Sequence, residues 1–252
     1  MPGPSADAAV HARSTAVDQG PLLVLVAVEF EVRGLARRLG RSGEGPGHLL
    51  RAVGLGAAAL AGLEGTLDGL RPRAVLVTGL AGGCAPDIAP GDLVLGEVVG
   101  PAPGGAWLRP DATLADRALA ALRAAGLPHR VGPLLTVPAP LATPAEKAAA
   151  WDTHGAVAAD MESARVLHWA ARAGFPALAV RAVADGPADL LPIGVTRAVG
   201  PAGRVHPATV AAWLARPALL RAGWRVWRRS ELALDRLARF LAALAPPTPV
   251  RP

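Results

Sequence analysis

Three carboxylates stand where short apolar runs of this chain end: Glu31 just past the run from Leu22 to Val28, Glu162 just past Ala156 to Ala159, and Asp185 at the close of Ala177 to Ala184. Carboxyl groups so placed can give or take a proton, bind hydroxyl groups or orient water. One that must stay protonated near neutrality needs burial to raise its pKa. Ligand crevices of open parallel sheets lie outside the C-terminal strand ends, so such acids are placed for chemistry. An acid at a helix start also complements the helix N-terminus. Asp160 fits that capping role, and residue type alone leaves both readings open for Glu29 and Glu31.

The elements that must position these acids follow from the apolar pattern. Residues 156–186 read as strand, helix and strand. Each apolar run is short and unalternating, as strands covered on both faces are, and Gly174 before Phe175-Pro176 stops the helix between them. A crossover of this length makes the two strands parallel neighbours, which would bring Glu162 and Asp185 to one crevice. Upstream, Leu22 to Val28 is a buried strand running into a helix that ends near Gly40, and His48 to Val53 is a further strand. Gly54-Leu55-Gly56 turns into an alanine-rich helix over 57–70, but Ala59 stands where a dinucleotide fingerprint needs its third glycine. Ala74 to Val77 leads into a glycine loop, Thr78-Gly79-Leu80-Ala81-Gly82-Gly83, whose amides would face the ligand side, and Leu93 to Val99 is the next strand. Thr113 to Gly126 is an amphipathic helix and Arg130 to Val137 a strand; Thr143 caps a helix that has Pro144 at its first position.

These motifs together resemble the purine nucleoside phosphorylase and methylthioadenosine/S-adenosylhomocysteine nucleosidase superfamily, over about residues 22–187. The resemblance rests on Met161-Glu162 opening a helix, on Arg181-Ala182-Val183-Ala184-Asp185 ending a strand, on the Thr78 to Gly83 glycine stretch, and on Glu29-Phe30-Glu31-Val32. Ala184 and Leu80 stand where the family pattern has serine. The resemblance implies that Asp185 is the general acid toward purine N7, that Glu162 binds the ribose hydroxyls with Met161 against the sugar, and that Glu31 holds the attacking water. It further implies that Arg181 supports the carboxylates, that Ala81 and Gly82 offer main-chain contacts, and that Pro140 and Leu141, in the loop from Pro138 to Ala142, form the wall of the base site. A homo-oligomer without cofactor is expected. Pro140 to Ala148, the Asp160 to Ser163 segment and the arginine-rich tail look most like the hopanoid-associated nucleosidase branch, which releases adenine from adenosylhopane.

The rest of the chain bounds this reading. At 252 residues, 52% hydrophobic and 18% charged, it suits one α/β domain with a mixed, mainly parallel sheet flanked by helices, plus C-terminal helices. No run reaches the ~18 apolar residues of a spanning helix. Residues 1–20 read as a disordered leader, 21–206 as the α/β domain and 207–252 as a helical extension. Of 26 basic residues only Lys147 is a lysine, so the net charge of +6 reflects arginine-rich usage and is no argument for a nucleic-acid partner. Cys84 is the single cysteine, which excludes an internal disulfide and suits the cytoplasm, and no two histidines have metal-ligand spacing. In the tail, Leu219, Leu220, Trp224, Trp227, Leu234, Leu237 and Leu241 share one helical side, with six arginines against Glu231 and Asp235 over 217–244. That pattern fits first a helix packed on the domain, and otherwise a partner surface or a peripheral contact with a membrane, as a lipid-linked nucleoside would require.

The expected reaction is hydrolysis of an adenine nucleoside. Phosphorolysis is the alternative, but the family's Gly-Asp-Pro-x-x-Arg and Arg-x-Gly-Ser phosphate motifs are missing and Glu31 would repel phosphate. Methylthioadenosine, S-adenosylhomocysteine and futalosine are the other candidate substrates. An idle nucleoside-binding protein is the non-enzymatic reading, with retention of Glu31, Glu162 and Asp185 against it.

Overall fold

Five consecutive apolar residues form the first strand, β1 (Leu22–Val26), every one of them buried. The computed structural model describes residues 20–40, 44–45, 47–54, 71–101, 103–191 and 217–244. After β1 come α1 (Glu29–Arg38), β2 (Glu44–Gly45), β3 (His48–Ala52), β4 (Ala74–Gly83), β5 (Leu93–Gly100), α2 (Ala112–Ala124), β6 (His129–Thr136), α3 (Pro144–His154), β7 (Ala158–Asp160), α4 (Ser163–Ala173), β8 (Ala177–Asp185) and α5 (Pro217–Leu244). The expected leader, the helix over 57–70 and the loop from 192 onward lie outside the described residues.

One sheet holds all eight strands, in the order β2-β3-β1-β4-β7-β6-β5-β8, and a further pairing of β4 with β8 closes the last five into a ring. β1 with β3 and β4, β4 with β8, and β6 with β5 and β7 run parallel. β2 with β3, β7 with β4, and β8 with β5 run antiparallel. The sheet is therefore mixed and mainly parallel, as expected. The expected adjacency of β7 and β8 is corrected: β4 lies between them, taking β8 in parallel along its length and β7 antiparallel at Gly82 and Gly83. Thr78 to Gly83 is likewise no loop. It is the second half of β4, in which Thr78 to Gly82 pair within Val180 to Asp185 and Gly83 pairs with Ala158.

Alternation along β8 sorts the core into two layers. Leu178, Val180 and Ala182 join a cluster with Leu35 of α1, Leu114 and Leu122 of α2, and Leu234, Leu237 and Phe240 of α5. Ala177, Ala179 and Val183 face the other layer, with Ala164, Leu167 and Ala170 of α4. Arg181 falls in that second series by the period of two, while Asp185 lies just past a register shift at Ala184. Helix ends follow local chemistry: the Thr143 hydroxyl accepts from the Glu146 amide, and Gly155 and Gly174 close α3 and α4 in the left-handed region.

α5 corrects the expected continuous apolar face on the tail. Leu234, Leu237 and Leu241 are buried in the domain core, while Trp224 and Trp227 are 56% and 57% exposed. Its arginines are not uniformly solvated either. Arg229 pairs with Asp189 at 2.5 Å and Arg236 with Asp92 at 3.3 Å. No described helix is long and apolar enough to cross a membrane.

Candidate active site

Arg181 is the centre of the first half of the site. It is fully buried at the middle of β8, and its guanidinium meets groups from three other segments. Nε lies 2.6 Å from Asp160 Oδ2 and donates to Ser163 Oγ at 3.0 Å. Nη1 donates to the Thr78 carbonyl at 2.8 Å, and Nη2 lies 3.4 Å from Glu162 Oε2. Asp160 also accepts from Thr136 Oγ1 at 2.9 Å and from the Ser163 amide at 3.3 Å, so it caps α4 and holds Arg181 at once. Glu162 is buried at the N-cap of α4. Met161, between these two acids, is half-buried.

Glu31 reaches the same cluster from the first turn of α1. Its Oε2 accepts from the amides of Ala27 and Val28, at 3.0 and 3.2 Å, and Oε1 accepts from the Leu80 amide of β4 at 2.9 Å. The helix-capping role and the reach across to β4 are thus both real. Burial pushes its pKa up, against the lowering effect of the Leu80 amide and of Arg181. Gly79 makes the approach possible. With φ at +126°, a Cβ there would lie 2.9 Å from Glu31 Oε1 and 3.0 Å from Arg181 Nη1. Three carboxylates, Glu31, Asp160 and Glu162, therefore surround one guanidinium, and together they hold that guanidinium firmly protonated against its burial.

The second half of the site lies four residues further along β8, about 13 Å at ~3.3 Å per residue. Asp185 is buried at the strand end, and a register shift there, with Ala184 as the extra residue on β8, pairs Asp185 with Gly82 of β4. A Cβ on Gly82 would be 3.4 Å from Asp185 Oδ2. Sequence reasoning missed the partner of this acid. Lys147 of α3 is entirely buried, and its ammonium donates to Asp185 Oδ2, to the Gly186 carbonyl at 2.8 Å and to the Asp189 carbonyl at 3.0 Å. Burial pushes the Asp185 carboxyl above the ordinary carboxylate range, with Lys147 pulling the other way. The available signal was that Lys147 is the single lysine among 26 basic residues.

Around Asp185, Ala81 is buried and Cys84 lies just beyond β4. Burial pushes the Cys84 thiol up to about 11, which makes it an inert small apolar group. Leu141 packs against the small cluster that contains Cys84, Leu135 and Ala159, whereas Pro140 is exposed. The loop carrying both is tied to the chain beyond β8 by the Leu191 amide donating to the Ala142 carbonyl at 2.8 Å. A cleft lined by Phe30, Arg33, Arg37, Trp227 and Leu234 lies apart from these acids, between α1 and α5. No group of three or more potential metal-ligating side chains is present among the described residues.

Fold and site define an α/β protein with buried acids gathered toward the C-terminal ends of its strands. The sequence pattern of the Phosphorylase superfamily matches residues 39–199, and the chain belongs to that superfamily. The fold is that of known N-ribosyl nucleosidases. A structure of a Helicobacter pylori 5′-methylthioadenosine nucleosidase variant with 5′-methylthioadenosine in its active site aligns with a TM-score of 0.67 at 15% identity, over 89% of this chain and 97% of that one. The H. pylori futalosine hydrolase aligns with a TM-score of 0.67 at 14% identity, over 90% and 97%. The Neisseria meningitidis 5′-methylthioadenosine/S-adenosylhomocysteine nucleosidase, in complex with methylthio-immucillin-A, aligns with a TM-score of 0.66 at 18% identity, over 89% and 98%. No curated protein matches the sequence.

Proposed function

We propose that this protein is a nucleosidase that hydrolyses the N-glycosidic bond of an adenine nucleoside. The observation that carries this reading is the pairing of the site's cations. Arg181 already faces Asp160 and Glu162, and Lys147 already holds Asp185, while Glu31 adds a further carboxylate beside Arg181. A crevice with surplus acid favours a sugar that becomes cationic and disfavours an incoming phosphate, which wants unengaged arginines.

In this reading the C1′–N9 bond breaks with its electron pair passing into the purine, and Asp185 gives its proton to N7. Glu162 binds the ribose hydroxyls, Met161 lies against the sugar, and Glu31 orients the water whose oxygen bonds to C1′ and takes its proton. Arg181 keeps the carboxylates in place. The backbone at Ala81 and Gly82, with Leu141 and Pro140, lines the base. A raised pKa at Asp185 supports donation, and one at Glu31 supports acceptance.

The 5′ substituent is proposed to be large and apolar, as in adenosylhopane, with release of adenine to leave the ribosyl lipid. The specific observation in favour is the exposure of Trp224 and Trp227 on α5, with Trp227 in one cleft with exposed Phe30, Arg33 and Arg37 of α1, a composition suited to peripheral contact with an anionic bilayer. The test is chromatography of free base released from methylthioadenosine, S-adenosylhomocysteine, futalosine, adenosine and a lipid-linked adenosine, with and without phosphate. Adenine release independent of phosphate is expected, fastest from the lipid-linked substrate. Ribose 1-phosphate formed only when phosphate is added would make the protein a phosphorylase, and binding without release would make it an idle binding protein.

A further inference from the structure

We infer that Lys147 is a positioning residue for the reaction, clamping one oxygen of Asp185 so that the other is presented to the leaving base. The inference rests on the nucleosidase reading for its meaning and on geometry for its argument. An ammonium has three N–H donors, and all three of Lys147 are engaged at once, by the Asp185 carboxylate and by two carbonyls of the turn that follows β8. The turn is held in its own right, because Asp189 Oδ2 accepts from the Gly186 amide at 2.7 Å and from Arg229 of α5 at 2.5 Å. Lys147 therefore locks Asp185 to a braced loop. Its contact is on Oδ2; Oδ1 has no hydrogen-bond donor among the described residues, and 11% of the side chain stays open to solvent.

A pair kept for stability alone is a poor use of this place. Well-packed apolar residues of similar volume commonly stabilise as well as a buried ion pair, and without its desolvation cost. Arginine, used at every other basic position of the chain, cannot aim three donors from one nitrogen at one carboxylate oxygen and two carbonyls. The charged and titratable groups that face Asp185 are Lys147 from α3, Asp189 from the following turn, Arg229 from α5 and Cys84 beyond β4. Of these, Lys147 is the cation in direct contact, and it draws the Asp185 pKa down while burial draws it up. It thus sets both the direction in which the acid points and the pH up to which the acid keeps its proton.

The test compares Lys147→Met and Lys147→Arg with the wild-type chain in base release across pH. Turnover that needs protonated Asp185 falls as pH rises through the pKa of that group. Removing the ammonium should move this alkaline limb upward by about one unit and lower kcat by roughly 10²-fold, with KM much less affected. Lys147→Arg keeps the charge and should hold the limb near its wild-type position, with kcat lowered by the poorer geometry. A Lys147→Met protein with wild-type kcat and limb overturns the inference. So does failure of both variants to fold by circular dichroism, which would make Lys147 purely structural. The 13C carboxyl shift of Asp185, assigned with Asp185→Asn, reads the same coupling without turnover. If no nucleoside is cleaved the nucleosidase reading fails by itself, and an Asp185 titration unchanged by Lys147→Met overturns the Lys147 role separately.

Discussion

Replacing Arg181 by methionine keeps most of the stem and removes the charge at the most enclosed point of the site. The guanidinium and the Asp160 carboxylate are both 0% exposed, so water screens neither. Removing one member of a buried pair strands the other, at a cost of about 3–5 kcal/mol. Here Asp160 keeps its bonds from Thr136 and Ser163, which softens the loss, while Glu162 and the Thr78 carbonyl lose a donor each, which adds to it. We expect about 4 kcal/mol out of a total of roughly 5–15 kcal/mol, a protein still folded but near its threshold. With an m-value of about 2 kcal/mol per M in urea, the midpoint falls by ~2 M. Tryptophan fluorescence in urea, with circular dichroism as a second probe, measures this. The loss should persist at high salt, unlike that of the partly exposed pair Arg38–Glu231. Adding Asp160→Asn to the variant should recover part of the loss, a coupling of ~1–3 kcal/mol. A single variant within ~1 kcal/mol of wild type, or a strictly additive cycle, would refute the idea that these side chains form one unit.

Asp185→Asn should cut base release by about 10²-fold or more and also lower stability, since the buried Lys147 loses its carboxylate; normal turnover would remove Asp185 from the mechanism. Gly79→Ala should destabilise by about 1–3 kcal/mol, because φ is +126° and the new methyl meets hydrogen-bonded atoms of Glu31 and Arg181; an unchanged melting temperature would contradict the close approach. Glu31→Gln has a pH signature. The folded pKa of Glu31 is raised above its ordinary 4.5, so its contribution is fully present below that value and is lost as pH climbs through the raised one. Wild-type stability should therefore decline more steeply from pH ~4.5 toward neutrality than that of the variant, and parallel urea-stability curves would show that Glu31 is not desolvated.

The pattern of apolar runs was enough to find the strands, because a strand buried on both faces announces itself by unbroken Val, Leu and Ala. The path of the sheet was less legible. The crossover rule places β7 beside β8 only if both lie in one unbroken parallel run, and here β4 is long enough to pair with both and close a ring between them. The glycines of Thr78 to Gly83 read as a loop for the same reason. Glycine marks a need for close approach, and the approach here is of Glu31 and Asp185 side chains to a strand, with the chain still paired to β8. Glu31, Glu162 and Asp185 stand out in the sequence because they end a strand or open a helix, and Arg181 because it opens the run to Asp185 that carries the family resemblance. Lys147 does not. It sits mid-helix and 38 residues from Asp185, and no local pattern links two such positions.

The tail shows where helical periodicity stops being informative. One apolar stripe over 28 residues is compatible with packing on a protein core and with lying in a bilayer surface, since both remove the same face from water. α5 divides the stripe: Leu234, Leu237, Phe240 and Leu241 are core, while Trp224 and Trp227 stay exposed, with Arg228 stacked 4.8 Å over the Trp224 ring. Arg229 and Arg236 of the same helix brace the turn after Asp185 and the turn before β5. Deleting the helix would therefore strip the core and unseat Asp189 together, and any loss of activity would say nothing about membranes. Substituting Trp224 and Trp227 by serine leaves both supports in place. A protein so changed that keeps its melting temperature and its turnover of soluble nucleosides, yet loses binding to anionic vesicles, would assign the exposed end of α5 to the lipid surface. Unchanged vesicle binding would leave α5 a structural helix along its whole described length.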